Sequence, residues 1–370
     1  MWNESETMTI QTDNLLMIKR LTLLSSVFLF SFVAKAQSYL IKLDSIDISV
    51  RNGVYPNLDA IVISQHNKIV FQKYYNTQRK DSLHDIRSAF KSITSILIGI
   101  ALDKGFVKSL NQKVYDFFPN YQKPTVWDKR KDSLTIEYLL TMKSGFNCEE
   151  WNGNKDCEDE METTNDWIKF CLDLDLKNSP GSKWDYTSIN AMILSGIIAN
   201  SSGMSVSEFS EKYLFNPLKI AKYRWTKDAI GHETTAGSFY ISPTDMLKIG
   251  ELVLNNGVYI GKRIVSAKWI EQMTQKVTLI EDFSNVRISK NKQAIPQPTY
   301  YGYMWYNEQV KTEKLDYNLI FASGNGGQYI MVVKELDLVV AFMGNSYNSS
   351  KSKLPFDVMI KYVLPAFQTK

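Results

Sequence analysis

Residues Ser88 to Leu102 read Ser-Ala-Phe-Lys-Ser-Ile-Thr-Ser-Ile-Leu-Ile-Gly-Ile-Ala-Leu, and they constrain the fold more than any other part of the chain. A surface helix carries one apolar stripe, whereas this stretch is apolar almost all round, so it predicts a helix buried at the centre of a globule. Gly105 is placed to end it. Such a helix needs other layers around it, and the rest of the chain has the material. Of 370 residues, 44% are hydrophobic and 22% charged, close to soluble globular averages. A chain this long buries about three quarters of its unfolded surface. Disordered, collagen-like and multi-span membrane chains are excluded. The balance of 43 basic against 39 acidic residues, a net +4, is too mild to argue for nucleic acid.

What surrounds the helix can be sketched from periodicity. Ala60 to Ser64 and Ile69 to Tyr75 read as short strands, and the polar Gln65-His66-Asn67-Lys68 between them as a hairpin turn. Residues 110 to 235 read as mostly helices and loops. Ile189 to Ser201 is one helix, stopped by Gly203, and Val206 to Leu214 is another. Ser242 and Pro243 are placed as N-cap and first residue of a helix running to Leu254. Gln328 to Val333 and Leu338 to Met343 return to strands. The aromatic run Tyr300 to Tyr306 reads as a core strand with one or two rings free to line a cleft. Strands at both chain ends with helices between predict a single α+β unit, one sheet built from both ends with a helical region inserted. The α/β part should cover about residues 37–87 and 240–370, and the helical part about 88–239.

The N-terminus reads as an export signal. Lys19 and Arg20 precede the apolar run Leu21 to Val33, and Ala34-Lys35-Ala36 follows. A positive region, a short apolar region and an A-x-A site describe a secretory signal peptide. The run is short of the roughly 20 residues that span a bilayer. Cleavage is expected after Ala36, giving a periplasmic or extracellular protein with no stable membrane insertion. Export permits disulfides. Cys148 and Cys157 are near enough in sequence to close a small loop, while Cys171 sits in an apolar helical stretch and reads as a buried free thiol. The acidic stretch Glu149 to Glu162 reads as a solvated loop, with a charged cleft rim as its alternative.

The chemistry begins at Ser88-x-x-Lys91. Positions i and i+3 share a helix face, so the amine can reach the hydroxyl. A serine at a first turn also offers a free backbone N–H, and the apolar helix behind it would desolvate Lys91 toward the neutral form a base needs. Ser289…Lys292 and Ser350…Lys353 match the same spacing in polar surroundings. Further on, Tyr186 precedes the Ile189 helix after Pro180-Gly181, and Ala322-Ser323-Gly324-Asn325-Gly326-Gly327 runs into a strand, where glycines let a substrate lie against the edge. His66, His84 and His232 lie far apart with no ligand spacing, and neither metal nor cofactor is expected. A G-x-S-x-G elbow is absent from the sequence, which disfavours an α/β-hydrolase.

These motifs in this order resemble the serine hydrolases related to class C β-lactamases and penicillin-binding proteins. Ser88-Ala89-Phe90-Lys91 is similar to that family's S-x-x-K, Tyr186-Thr187-Ser188 to its Y-x-N, and Ala322-Ser323-Gly324 to its K-T-G or H-x-G. Leu134 to Gly145, Phe215-Asn216-Pro217-Leu218 and Ser242 to Met246 also resemble family segments. The resemblance implies the β-lactamase/transpeptidase-like fold. It implies Ser88 as nucleophile, Lys91 and Tyr186 as base and proton shuttle, and the backbone N–H groups of Ser88 and Asn325 as the oxyanion hole. Ser188, Ala322, Ser323 and Gly324 would contact substrate, a small ester or amide. Ser188 departs from the family's Asn, and Ala322 from its Lys or His. Both departures touch recognition, and they favour the esterase and linear-oligoamide amidase branch over β-lactamases and D,D-peptidases. A non-catalytic binding module of the same fold is the third expectation.

Overall fold

The computed structural model describes residues 41–150 and 156–368; the apolar run Leu21 to Val33 and its A-x-A site lie outside them. The predicted hairpin is β1 (Leu58–Gln65) and β2 (Lys68–Tyr74). Its turn residues His66 and Asn67 have φ of 51° and 59°, the left-handed pair that a two-residue turn between twisted strands demands. Three short strands, β3 (His84–Asp85), β4 (Tyr223–Trp225) and β5 (Phe239–Ile241), form a small sheet in the order β3-β5-β4. The ladder β6 (Val258–Tyr259) with β7 (Lys262–Arg263) stands alone. The remaining strands are β8 (Thr278–Leu279), β9 (Thr299–Tyr301), β10 (Tyr306–Lys311), β11 (Asp316–Gly324), β12 (Gln328–Val333) and β13 (Leu338–Gly344). They join the hairpin in one antiparallel sheet of order β2-β1-β13-β12-β11-β10-β9-β8, so both chain ends build it.

That sheet is covered on both faces, which explains the unbroken apolar runs Ala60 to Ile63 in β1 and Leu338 to Met343 in β13. In β1, Ala60 and Val62 face one core and Ile61 and Ile63 the other. In β13, Val339, Ala341 and Met343 alternate with Leu338, Val340 and Phe342 in the same way. Period-2 geometry sends neighbours to opposite faces, and each buried aliphatic side chain contributes about 1.5–3 kcal/mol. On one face pack helical residues 41–51 (α1), through Leu43 and Ile46, and the C-terminal helical segment, through Phe356 and Ile360. The other face packs against the inserted region, whose central member is α2 (Ala89–Asp103).

The inserted region adds α3 (Ile136–Leu140), α4 (Cys157–Glu162), α5 (Trp167–Asp173), α6 (Ser188–Ser202) and α7 (Val206–Ser210), and α8 (Pro243–Leu254) follows it. All residues of α2 from Ala89 to Ala101 are buried. Gly203, at φ 69°, ends α6 in the left-handed conformation, the usual C-terminal stop. The Ser242 hydroxyl accepts the Asp245 N–H at 3.1 Å, as an N-cap should. Three features differ from the sequence reading. The helix expected over Val206 to Leu214 reaches Phe215, but its second half, Glu211–Phe215, is π-helical. The inserted region contains β4 and β5, too short to carry a strand pattern. The Tyr300–Tyr306 run is broken into β9 and β10, because Gly302 is pressed against the Met273 and Gln275 carbonyls and Met304 takes φ 59°.

Candidate active site

Ser88 stands at the N-cap of α2, but its side chain does not cap the helix. Its predecessor Arg87 is in the left-handed region at φ 50°, which costs a non-glycine residue about 1–2 kcal/mol. Asp85 holds that turn. Its carboxylate accepts the Arg87 N–H at 2.9 Å and pairs with Arg87 Nε at 3.1 Å. Asp85 in turn is paired with Tyr240 through the small sheet, so the turn presenting Ser88 is anchored to three strands. Gly324, the last residue of β11, lies against the same turn: a Cβ there would be 2.3 Å from the Ile86 carbonyl and 3.1 Å from Ala89 N. The sheet edge and the helix N-terminus therefore meet at Ser88.

Lys91 is 1% exposed. Its Nζ lies 2.9 Å from Ser88 Oγ, 3.0 Å from Ser188 Oγ and 2.8 Å from the Ala236 carbonyl. Burial lowers the Lys91 pKa, against the opposing pull of Glu158, Glu150 and Asp156. Tyr186 stands beside Ser88 in the cleft wall, and its ring centre is 5.2 Å from Lys91 Nζ. Burial and then the Glu150 charge push the Tyr186 pKa up, so the phenol keeps its proton. One lysine with a lowered pKa and one tyrosine with a raised pKa therefore share a serine.

Ser88 and Tyr186 open onto a cleft of about 920 Å³, also lined by Tyr306, Ser323, Gly324 and Asn325, while Lys91 stays buried. Two candidate substrate contacts lie elsewhere. Ala322 is fully buried, since alternation along β11 turns it into the core beneath α2 while Ser323 faces the cleft. Ser188 is also fully buried, held between Lys91 and a carboxylate.

That carboxylate, Glu150, is one member of the acidic stretch that is not solvated. Glu150 folds inward and accepts hydrogen bonds from Ser188 N, from Thr187 Oγ1 at 3.0 Å and from Ser188 Oγ at 3.2 Å. Burial, then the neighbouring Glu158 charge, raise its pKa to about 7, against the pull of Lys91. Asp156, Glu158, Asp159 and Glu162 line the cleft from α4 and its N-cap, which is the rim arrangement. Arg87 and Lys353 line it too, so cations reach the cleft from positions other than 322. Lys353 belongs to one of the two polar Ser-x-x-Lys matches. Periodicity carries no signal for Arg87 or Lys353, because their places depend on how distant segments meet.

Cys148 and Cys157 are bonded, with Cα atoms 5.4 Å apart, and Cys171 is a buried free thiol. The bridge brackets Glu150 and the start of α4. Closing so short a loop stabilises the fold by about 2–3 kcal/mol. Changing both cysteines to Ser should lower the unfolding midpoint accordingly, and dithiothreitol should do the same to the wild type but not to the variant. Equal midpoints in all samples would show that the bridge is absent in solution.

Among the described residues, Asp166, Asp228 and His232 form one cluster with metal-ligand spacing. Asp228 already accepts N–H groups from Trp167, Ile230 and His232, and lies 2.9 Å from His232 Nδ1. These bonds tie α5 to the loop before β5, and account for the cluster.

A hydroxyl at a helix N-terminus, a desolvated amine on it and a strand edge alongside make up the apparatus of an active-site-serine protein. The chain belongs to the Beta-lactamase family, whose model matches residues 54–357. It is 22% identical over 228 residues to the 6-aminohexanoate-dimer hydrolase of Paenarthrobacter ureafaciens, 58% of this chain and 56% of that one. The chain spans about half the length of the curated relatives it matches. A structure described as a class C beta-lactamase superposes with TM-score 0.62 at 14% identity, covering 89% of this chain and 96% of that chain. The octameric penicillin-binding protein homologue from Pyrococcus abyssi does so with TM-score 0.62 at 19%, covering 87% and 77%. The structural likenesses establish the β-lactamase/transpeptidase-like α+β fold.

Proposed function

We propose that the protein is an exported serine hydrolase cleaving an ester or amide bond of a small neutral substrate through a Ser88 acyl-enzyme. The observation that carries this is Lys91 Nζ, buried and 2.9 Å from Ser88 Oγ. Lys91 takes the Ser88 proton, since its pKa is lowered while that of Tyr186 is raised. Ser88 Oγ attacks the carbonyl carbon, and the N–H groups of Ser88 and Asn325 receive the oxyanion. Tyr186, beside Ser88, gives its proton to the leaving group as the acyl bond breaks and takes one back from protonated Lys91, which returns the lysine to its neutral form. Water then releases the acid. Similarity to a protein named 6-aminohexanoate-dimer hydrolase supports an amide substrate. The Leu21–Val33 run and the Cys148–Cys157 bridge support export.

A second reading, β-lactamase or D,D-peptidase activity on a substrate with a free carboxylate, is favoured by Arg87 and Lys353 in the cleft. Against it stand the carboxylates of Asp156, Glu158, Asp159 and Glu162 in the same cleft, and Arg87 is already paired with Asp85. A charge-assisted contact contributes about 1.5–3 kcal/mol, so its absence should cost anionic substrates roughly ten- to a hundredfold in kcat/KM at about 1.4 kcal/mol per decade. The measurement is kcat/KM for one acid and its methyl ester or primary amide, with nitrocefin alongside. A preference for the acid that disappears in Arg87→Gln would establish the second reading instead.

A further inference from the structure

The place of Lys91 Nζ among three oxygens fixes how its hydrogens must be shared. As a neutral amine it has two N–H donors and one lone pair. The Ala236 carbonyl, 2.8 Å away, can only accept, so it takes one N–H. Ser188 Oγ and Ser88 Oγ, at 3.0 and 2.9 Å, are hydroxyls that can each donate or accept. Only if Ser188 accepts is the lone pair left for the Ser88 proton. Were Ser188 to donate instead, it would occupy the lone pair and Ser88 would be left accepting from the base.

Glu150 resolves this choice. Its Oε1 is taken up by Ser188 N and Thr187 Oγ1, and its Oε2 lies 3.2 Å from Ser188 Oγ. Above the pKa of about 7 to which burial raises it, Glu150 is a carboxylate that accepts and does not donate, so the single Ser188 hydrogen goes to Glu150 and the oxygen turns its lone pairs to Lys91. We propose that Glu150 is a positioning residue for catalysis: by accepting the Ser188 proton it orients the Lys91–Ser188 hydrogen bond and leaves the lysine lone pair aimed at Ser88. The side chain at position 188 suits this purpose. A hydroxyl has one hydrogen to assign, and the family's Asn would present an amide whose acceptor needs no partner to orient it. The Cys148–Cys157 bridge and the bond from Cys157 N to the Glu149 carbonyl at 3.1 Å hold the segment that delivers Glu150. The titratable groups around the carboxyl are Lys91 on α2, Tyr186 before α6, Glu158 on α4, Cys171 on α5 and Tyr306 on β10.

The proposal rests on the serine-hydrolase reading, and the test separates the two. The full chain is treated with a fluorophosphonate probe, and labelling of Ser88 is followed by peptide mass spectrometry from pH 6 to 10. In Glu150→Gln the oxygen is expected to keep the two donors at Oε1, so the amide N–H₂ faces Ser188 Oγ and forces that hydroxyl to donate to Lys91. Labelling should slow at least tenfold. Removing the misdirected donor should then help: Glu150→Gln with Ser188→Ala should label faster than Glu150→Gln alone, although Ser188→Ala by itself labels more slowly than wild type. A structural role for Glu150 would give the opposite order, with the double variant slowest. Wild-type labelling rates in Glu150→Gln, or a double variant slower than Glu150→Gln, would overturn the proposal and leave the hydrolase reading intact. An unlabelled Ser88 in the wild type overturns the hydrolase reading itself. If Glu150→Gln does not fold, the single Ser188→Ala variant decides, since labelling at the wild-type rate there removes the link through which Glu150 would act.

Discussion

Replacing Ser88 with Ala should abolish acyl-enzyme formation, because among the described residues no other hydroxyl both lies on the Lys91 amine and opens to the cleft. The Ser188 hydroxyl also touches Lys91 but is fully buried and bonded to Glu150. Lys91→Ala should lower kcat by about 10²–10⁴, the usual contribution of a positioned acid–base group. Tyr186→Phe removes the proton donor to the leaving group and should fall in the same range. The losses should not add, since the three groups act on one proton path. The pH profile gives a second check. Neutral Lys91 is the active form, so acylation should rise with pH, and burial places the midpoint below that of an ordinary lysine. Near-normal turnover of p-nitrophenyl butyrate by Lys91→Ala would sink the assignment of the base.

The second large effect is expected at Gly324, a residue with no reactive group. The absent side chain allows β11 to approach the turn before α2, with the Ile86 carbonyl 2.3 Å from where a Cβ would stand. That oxygen belongs to backbone, which cannot swing aside as a flexible side chain would. Gly324→Ala must therefore push the strand end and the Ser88 turn apart. Overpacking of this kind costs about 1–3 kcal/mol, and a shift of about 1 Å at reacting groups can cost 10²-fold. We expect kcat to fall about a hundredfold while fluorophosphonate labelling of Ser88 persists at a reduced rate, because the proposed nucleophile and base, Ser88 and Lys91, both lie at the start of α2. Unchanged kcat in a folded Gly324→Ala enzyme would show that the Asn325 N–H takes no part in the oxyanion hole.

The two residues illustrate which parts of the site can be read locally. Ser88 and Lys91 lie one helical turn apart, so their meeting follows from helix geometry alone, and the all-round apolar character of α2 already implies a desolvated lysine. Tyr186 and the Ala322–Gly327 run were legible through the order of motifs. By contrast, nothing local marks Asp85 as the anchor of a strained Arg87. Its partners come through β5, about 150 residues away.

The buried central helix, the strands at both chain ends and the Ser-Lys pair were legible from the residues, because hydrophobic periods of 2 and 3.6 and an i, i+3 spacing are local properties. The tertiary structure decided what faces the cleft. It turned Ala322 into the core and Ser323 outward, since register along β11 sets the face of each side chain. It brought Arg87 and Lys353 to the cleft, where a reading of position 322 alone left no cation. It also drew Glu150 out of an acidic stretch and onto the Lys91–Ser188 bond. A carboxylate in a polar segment looks solvated until its partners are known, and these partners, at Thr187 and Ser188, open α6 almost 40 residues on. Burying that charge is tolerable only because those donors await it there.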